Sequence, residues 1–328
     1  MRVHFNDLDV NDVAAVPVIF KSVSARETKT KKPYLQVSMF DGTTSIDGNY
    51  WDWSGKAMPD TGVSVYTATG QMTTYQGNKQ FTIKGITTNT ELDISDFAPA
   101  SSNDLNIVFK DAYAFISDVV KDDFLRDITL TALDVEMDKW LKVPGAVSIH
   151  HAYVGGTLIH CLSVAKIAYA ISKEIPIANQ DLCIVGGMLH DIGKLYTYDF
   201  NGAAIIMTPQ GKMFEHLTLG AMIIKDIAIE HVTIKKNNNF DKLDLLTHII
   251  LSHHGDLENG AVTTPQCIEA QIVHSADMLD ATAEVIRSAS ITTSDMWTDK
   301  VWTMHNRPAI NHNYIKDLFV DLDDMPFK

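Results

Sequence analysis

The sequence predicts a multi-domain protein, an all-β barrel over residues 1–92 followed by an all-α domain over residues 104–290, and three observations carry that expectation. β-branched and aromatic residues alternate with polar ones through roughly the first 90 positions, and the apolar period then lengthens to that of an amphipathic helix. Ten of the thirteen histidines crowd between His150 and His274, inside the helical part. A chain of 328 residues also exceeds the usual size of one domain, so two separate cores are expected.

The barrel elements come first. VAAVPVIFKSVSARE, PYLQVSMFDGTTSIDGNYW and GVSVYTATGQMTTYQGNKQFTIKGI read as strands, with Asp41-Gly42 and Gln76-Gly77-Asn78 as turn signals. About five short strands in so few residues suit a small closed barrel, of which the OB-fold is the commonest nucleic-acid-binding form. Tyr34, Phe40, Trp51, Trp53, Tyr75 and Phe81 lie near Lys31, Lys32, Lys79 and Lys84, the mixture of stacking faces and cations that single strands prefer. Half of those aromatics are expected in the core, since aromatics are also routine strand formers. ELDISDFAPASSND, with Pro99 and Ser101-Ser102, has linker composition, and residues 93–103 are read as the connection.

From Asp104 the helical period begins with NIVFKDAYAFISDVV and DFLRDITLTALDVEMDKWL. TLIHCLSVAKIAYAISKE, QDLCIVGGMLHDIGK, FEHLTLGAMIIKDIAIEHV, DKLDLLTHIILSHHG and TPQCIEAQIVHSADMLDATAEVIR follow, the last with Thr264-Pro265 as its expected start. DFNGAAIIMTPQGK reads as a hairpin inserted between the second and third of these. Residues 291–328 form an extension without an interpretable motif.

Composition narrows the classes. Hydrophobic residues make up 45% and charged residues 21%, as in ordinary soluble proteins, and no apolar run reaches the ~18 residues of a membrane span. The N-terminus lacks a secretory pattern, so a cytoplasmic location is expected. Cys161, Cys183 and Cys267 are odd in number and set in apolar helical patterns, so they read as buried free thiols. A net charge of −14 is unusual for a polyanion binder, and it requires any nucleic-acid contact to be local, metal-assisted or based on stacking.

Placed on these helices, His160 shares a face with Val164, Ala168 and Ile171, and His253 shares one with Ile249 and Leu246. A row of inward histidines is costly unless something pairs with them. His190 ends an apolar helix, Asp191 follows at once, and Gly186 and Gly187 one turn back would let another element approach closely. Asp277 sits in the apolar IEAQIVHSADMLDA. His231, His248 and His274 are read instead as hydrogen-bonded core residues.

The order LIHCLSVAK, MLHDIGK, EHLTLG, ILSHHGD and HSADMLD resembles the HD-domain metal-dependent phosphohydrolases. Within them, HHAYVGGTLIH and LSHHGDLENG behind a barrel containing PYLQVSMFDGTTSIDGNYWD resemble the YhaM-like 3′→5′ exoribonucleases, over residues 12–285. The resemblance implies His160, His190, Asp191 and Asp277 around one divalent ion and Asp191, His216 and His253 around a second, with Asp191 bridging. Manganese is the favoured ion, ahead of iron, zinc, cobalt or magnesium. At such a site Lys194 would neutralise a non-bridging phosphate oxygen, His150 or His151 would hold the phosphate or protonate the leaving oxygen, and His254 would be left for the phosphate or for support. The mixture of aromatics and cations in the barrel makes Tyr34, Phe40, Trp51, Trp53, Tyr75, Lys79 and Phe81 the expected strand-binding set. The substrate would be single-stranded RNA, with single-stranded DNA as a second candidate and nucleoside 5′-monophosphates as products; the alternative is a phosphohydrolase of free or cyclic nucleotides. A homo-oligomer is compatible with the sequence, and no membrane partner is expected. One departure stands out: glycine is expected immediately before the third-motif histidine, and Glu215 occupies that position.

Overall fold

A computed structural model describes residues 2–318 apart from 56, 76–77, 98–102, 147–150, 202–203, 232–238, 292, 294 and 302–303. The chain divides into two compact units, one of residues 1–100 with 199–206 and one of 101–198 with 207–328.

In the first unit, β1 (Val13–Glu27), β2 (Pro33–Phe40), β3 (Ser45–Tyr50), β4 (Tyr66–Tyr75) and β5 (Asn78–Thr88) close into a barrel of order β1-β2-β3-β5-β4, the OB-fold arrangement. The long β1 serves two neighbours, pairing through Val13–Val18 with β4 and, beyond, through Ile19–Glu27 with β2, and a bulge between Phe20 and Ser22 bends it. Inward positions of the period-two pattern, among them Val16, Val18, Leu35, Val37, Met72 and Ile83, form the core. At the β2–β3 turn, buried Asp41 accepts from the backbone N–H groups of Phe5 (2.6 Å), Thr43 (2.7 Å) and Thr44 (2.7 Å), so one carboxylate pins the N-terminus to the turn. The Gln76-Gly77 turn lies outside the described residues, but the pairing of Tyr75 with Asn78 brackets it.

The segment read as a linker departs from expectation at its start. Ile94–Phe97 form a 3₁₀ turn, and Phe97 is fully buried with Ile19 and Val65, its ring also receiving the Arg2 guanidinium at 3.7 Å. Pro99 and Ser101-Ser102 lie outside the described residues.

The second unit is helical: α1 (Leu105–Val119), α2 (Asp123–Val135), α3 (Met137–Trp140), α4 (Gly156–Lys173), α5 (Gln180–Leu189) and α6 (Lys194–Thr197), then α7 (Pro209–Glu230), α8 (Asn239–Ser252) and α9 (Ile268–Ile291); the hairpin β6 (Tyr198–Asn201) and β7 (Ala204–Met207), between α6 and α7 in the chain, falls almost wholly to the first unit. Asp104, Asp122, Asn179 and Thr208 each accept a backbone N–H at a helix N-terminus, and these caps set the starts of α1, α2, α5 and α7. The start expected at Thr264-Pro265 falls later, at Ile268, where the Cys267 thiol accepts from Ala270 N at 3.4 Å. The C-terminal extension carries a second hairpin, β8 (Trp297–Val301) with β9 (Arg307–Ile310), and α10 (His312–Leu318). One core cluster, including Ile116, Ile128, Val164, Val185, Ile249 and Val273, binds the helices together. Among the described residues no helix is long and apolar enough to cross a membrane.

Candidate metal centre

Four local features turn the motif residues toward one place. Gly187 on α5 meets α4 so closely that an added Cβ would stand 2.7 Å from Ala165 Cα, which lets His190, at the end of α5, reach His160 on α4. At Gly193 a Cβ would lie 1.8 Å from His216 O, so the DIG turn rests directly on α7. Within α7 the helix breaks at Glu215 (φ 57°, ψ 161°), and His216 restarts it as a buried residue. Asp277 and Asp280, three apart on α9, share the face that meets α4.

The result is a buried cluster centred on Asp191. Its Oδ2 is 3.4 Å from His160 Nε2 and 3.3 Å from His190 Nε2, while Oδ1 is 3.5 Å from His216 Nε2 and 3.6 Å from His253 Nε2. Asp277 Oδ1 adds a contact of 3.2 Å to His160 Nε2 and one of 3.9 Å to His190 Nε2. All six residues that the resemblance implied as ligands are therefore together. His254 joins them, its Nε2 3.1 Å from that of His216, so both histidines of the HH pair reach the cluster.

Electrostatics supports a cation there. His190 Nδ1 donates to Gly187 O and His253 Nδ1 to Ile250 O, each at 2.8 Å, because a carbonyl can only accept. Both Nε2 lone pairs then point inward. His190 Nε2 and His160 Nε2 approach to 3.2 Å, a contact that either a proton on His160 or a cation among the ring nitrogens satisfies. Asp191 Oδ1 and His216 Nδ1 are buried without a hydrogen-bond partner among the described residues. An orphaned buried carboxylate oxygen is costly, and a divalent ion would remove the penalty. Mixed imidazole and carboxylate donors suit manganese, iron or zinc.

The pKa directions follow the same charges. Burial raises Asp191, but Lys194 and His190 outweigh it and hold the carboxyl well below its ordinary value. Burial lowers His160, and hydrogen bonds to Asp191, Asp277 and Asp280 more than reverse that. His216 is driven well down by burial, which outweighs the nearby Asp191 carboxylate and is reinforced by the Lys194 ammonium.

The residues expected to act on phosphate are placed unequally. Lys194 is buried with Nζ 2.6 Å from Asp191 Oδ2, so it lies in the cluster rather than on the surface. His151 is turned elsewhere: at φ 52° its ring bonds the Tyr153 hydroxyl (2.7 Å) and Asp280 (2.9 Å). His150 lies outside the described residues. Of the three histidines read as core, His274 donates to His253 O at 2.6 Å and His248 accepts from Gln266 N at 3.0 Å, whereas His231 is an exposed helix end.

Asp280 was not anticipated. Its carboxylate accepts from His160 Nδ1 (2.7 Å), His151 Nε2 (2.9 Å) and the Ser163 hydroxyl, so it orients His160 from behind. Its spacing of three from Asp277 in HSADMLD was the available signal.

In the barrel, Trp51 (41% exposed) stacks on Tyr34 with ring centroids 4.5 Å apart, and Tyr75 is 64% exposed. Trp53 is half-buried, and Lys79 Nζ donates to Leu8 O at 2.8 Å. Phe81 corrects the expected strand-binding set: it is fully buried, edge-on to Phe5 at 5.3 Å, because its strand position faces the barrel axis, and it presents no face to a strand. Phe40 is half-buried against the Ile19–Val65–Phe97 cluster.

Comparison with known proteins agrees with this geometry. The HD domain family profile matches residues 157–282. The chain is 26% identical over 314 residues, 94% of its length and 98% of the relative's, to a protein named 3′-5′ exoribonuclease YhaM from Listeria welshimeri. It is 29% identical over 311 residues, 91% of its length and 92% of the relative's, to the protein of that name from Geobacillus sp. (strain WCH70). A third of that name, from Listeria monocytogenes, is 25% identical over 314 residues, 94% of this chain and 98% of that one.

Proposed function

We propose, from an HD domain that follows an OB-fold barrel in the chain and from likeness over 91–94% of its length to 3′-5′ exoribonucleases, that this chain is a metal-dependent nuclease removing nucleotides from the 3′ end of single-stranded RNA. The observation that carries the reading is Asp191, a buried carboxylate flanked by two pairs of inward imidazoles and left with an orphaned oxygen. His160, His190, Asp191 and Asp277 would hold one divalent ion, and Asp191, His216 and His253 a second, manganese being favoured. Bound ions would supply Lewis acidity toward the phosphodiester and a nucleophile at neutral pH.

The chain's own groups do the rest. Backbone carbonyls fix the His190 and His253 tautomers, and Asp280 fixes that of His160, so the ligand atoms need no reorganisation. Lys194, held charged by Asp191, supplies a positive charge toward the non-bridging phosphate oxygens. His254, whose Nδ1 donates to Asn259 O at 3.0 Å, offers Nε2 either to the second ion or to the phosphate. His151 acts at one remove, through Asp280. The exposed Tyr34–Trp51 stack and Tyr75 offer sequence-tolerant faces to bases, and such stacking explains how a chain of charge −14 binds a polyanion.

The test is full-length protein with 5′-labelled single-stranded RNA or DNA and Mn²⁺, with and without chelator. A ladder descending by single nucleotides, with nucleoside 5′-monophosphates released and both abolished by chelator, is expected for RNA. Intact strands beside hydrolysed free or cyclic nucleotides would replace this reading with the small-substrate phosphohydrolase.

A further inference from the structure

Between the β3–β4 connection and the strands around it, the barrel holds a cavity of about 380 Å³ lined by Leu35, Tyr50, Trp53, Met58, Tyr66 and Ile86, among others. That volume is at the lower end of the ~300–1,000 Å³ of small-ligand sites. Its wall is fixed before anything binds: the Tyr66 ring packs edge-on to Phe20 at 5.3 Å, and its hydroxyl accepts from Asp60 N at 3.1 Å. Met58 at the rim is 52% exposed, an adaptable side chain well suited to contact with a ring.

Two features select the occupant. Trp53 packs on the barrel core, yet its indole Nε1 is buried with no hydrogen-bond partner among the described residues. An indole N–H only donates, so an occupant that relieves it brings an acceptor. None of the described lining residues is charged, so a phosphate finds no counter-charge there, whereas a flat apolar ring finds tyrosine and tryptophan.

We propose that this cavity takes a single unstacked nucleobase, whose carbonyl or ring nitrogen accepts from Trp53 Nε1 while its faces lie against the surrounding rings. Neither ring of the Tyr34–Trp51 stack lines it. That the base arrives on an RNA strand rests on the function proposed above; a free nucleoside monophosphate carries the same ring.

Fluorescence anisotropy of full-length protein in chelator, which halts hydrolysis, tests the site with three probes: a short labelled RNA, an abasic strand of equal length, and adenosine 5′-monophosphate as competitor. Trp53→Phe keeps a ring and removes the donor. Ala57→Leu places bulk in the cavity lining at an exposed position. Trp53→Phe is expected to weaken RNA binding roughly three- to tenfold, and Ala57→Leu roughly tenfold or more, with the abasic strand unaffected by either. Competition by the mononucleotide, lost in both variants, would mark free nucleotide as a second source of the base. RNA affinity equal to wild type in both variants, or equal losses for RNA and abasic strands, overturns the proposal. If wild-type protein binds neither strand but binds the mononucleotide through Trp53, the cavity stands and the strand-degrading function falls.

Discussion

At the scale of single residues, Asp280 and Lys194 differ in what they touch. Asp280 meets His160 on the nitrogen turned away from the cluster, so its effect on an ion would pass through the orientation and basicity of that imidazole. Asp280→Asn is expected to lower metal affinity about 10- to 100-fold while leaving the helical circular dichroism unchanged. Calorimetric titration with Mn²⁺ checks this, and wild-type affinity in the variant would remove Asp280 from the site. Lys194 instead meets the central carboxylate itself. As a phosphate clamp its charge acts mainly in the transition state, and Lys194→Ala is expected to reduce kcat by ~10²–10³ with bound metal retained. A fall in kcat that tracks lost metal would make Lys194 a support for Asp191.

At the scale of elements, α7 and the β2–β3 turn hold opposite lessons. The break in α7 puts a side chain at φ 57°, ψ 161°, a region nearly reserved for glycine and costing about 1–3 kcal/mol for other residues. Glu215 is exposed, so removing its side chain forfeits no packing. Glu215→Gly is expected to stabilise the protein by about 1 kcal/mol after the greater chain entropy of glycine is subtracted. A denaturation midpoint equal to or below wild type would show that the break is unstrained. Asp41 works through hydrogen bonds: burial raises its pKa, but donors from Phe5, Thr44 and Thr43 prevail and hold it below the ordinary value. A folded pKa below the unfolded ~3.9 stabilises above that pH and loses its contribution as pH falls through the folded value. Asp41→Asn is therefore expected to cost about 1–3 kcal/mol at pH 7, with the gap to wild type closing below about pH 4. Denaturation curves at both pH values decide it, and a pH-independent gap would point to lost shape alone.

For the whole molecule, the division into two units separates the consequences of metal binding. The whole proposed ligand set belongs to the helical unit, so ions should stabilise that unit and leave the barrel as it is. A ligand at 100 times its Kd adds about 2.7 kcal/mol, which for a unit of this size is a rise of roughly 5–10 °C in Tm. Scanning calorimetry with Mn²⁺ or with chelator is expected to show a movable helical transition and a fixed barrel transition. Equal shifts in both would mean that the units unfold together.

Local chemistry made much of this legible in sequence: period-two alternation over Val13–Glu27 and Pro33–Phe40 marks strands, and the change to the helical period from Asp104 marks the start of α1, because each depends on neighbours a few residues away. The ordered motifs likewise singled out His160, His190, Asp191, His216, His253 and Asp277, which the fold brings into one cluster. What sequence left open depends on residues far apart in the chain. Asp280 meets His160 across 120 positions, Phe81 rather than Trp51 was drawn into the core by barrel closure, and Phe97 left the expected linker to cover Ile19 and Val65. A side chain's facing is set by its element's period, but what it faces is set by packing, and only the tertiary structure brings those partners together.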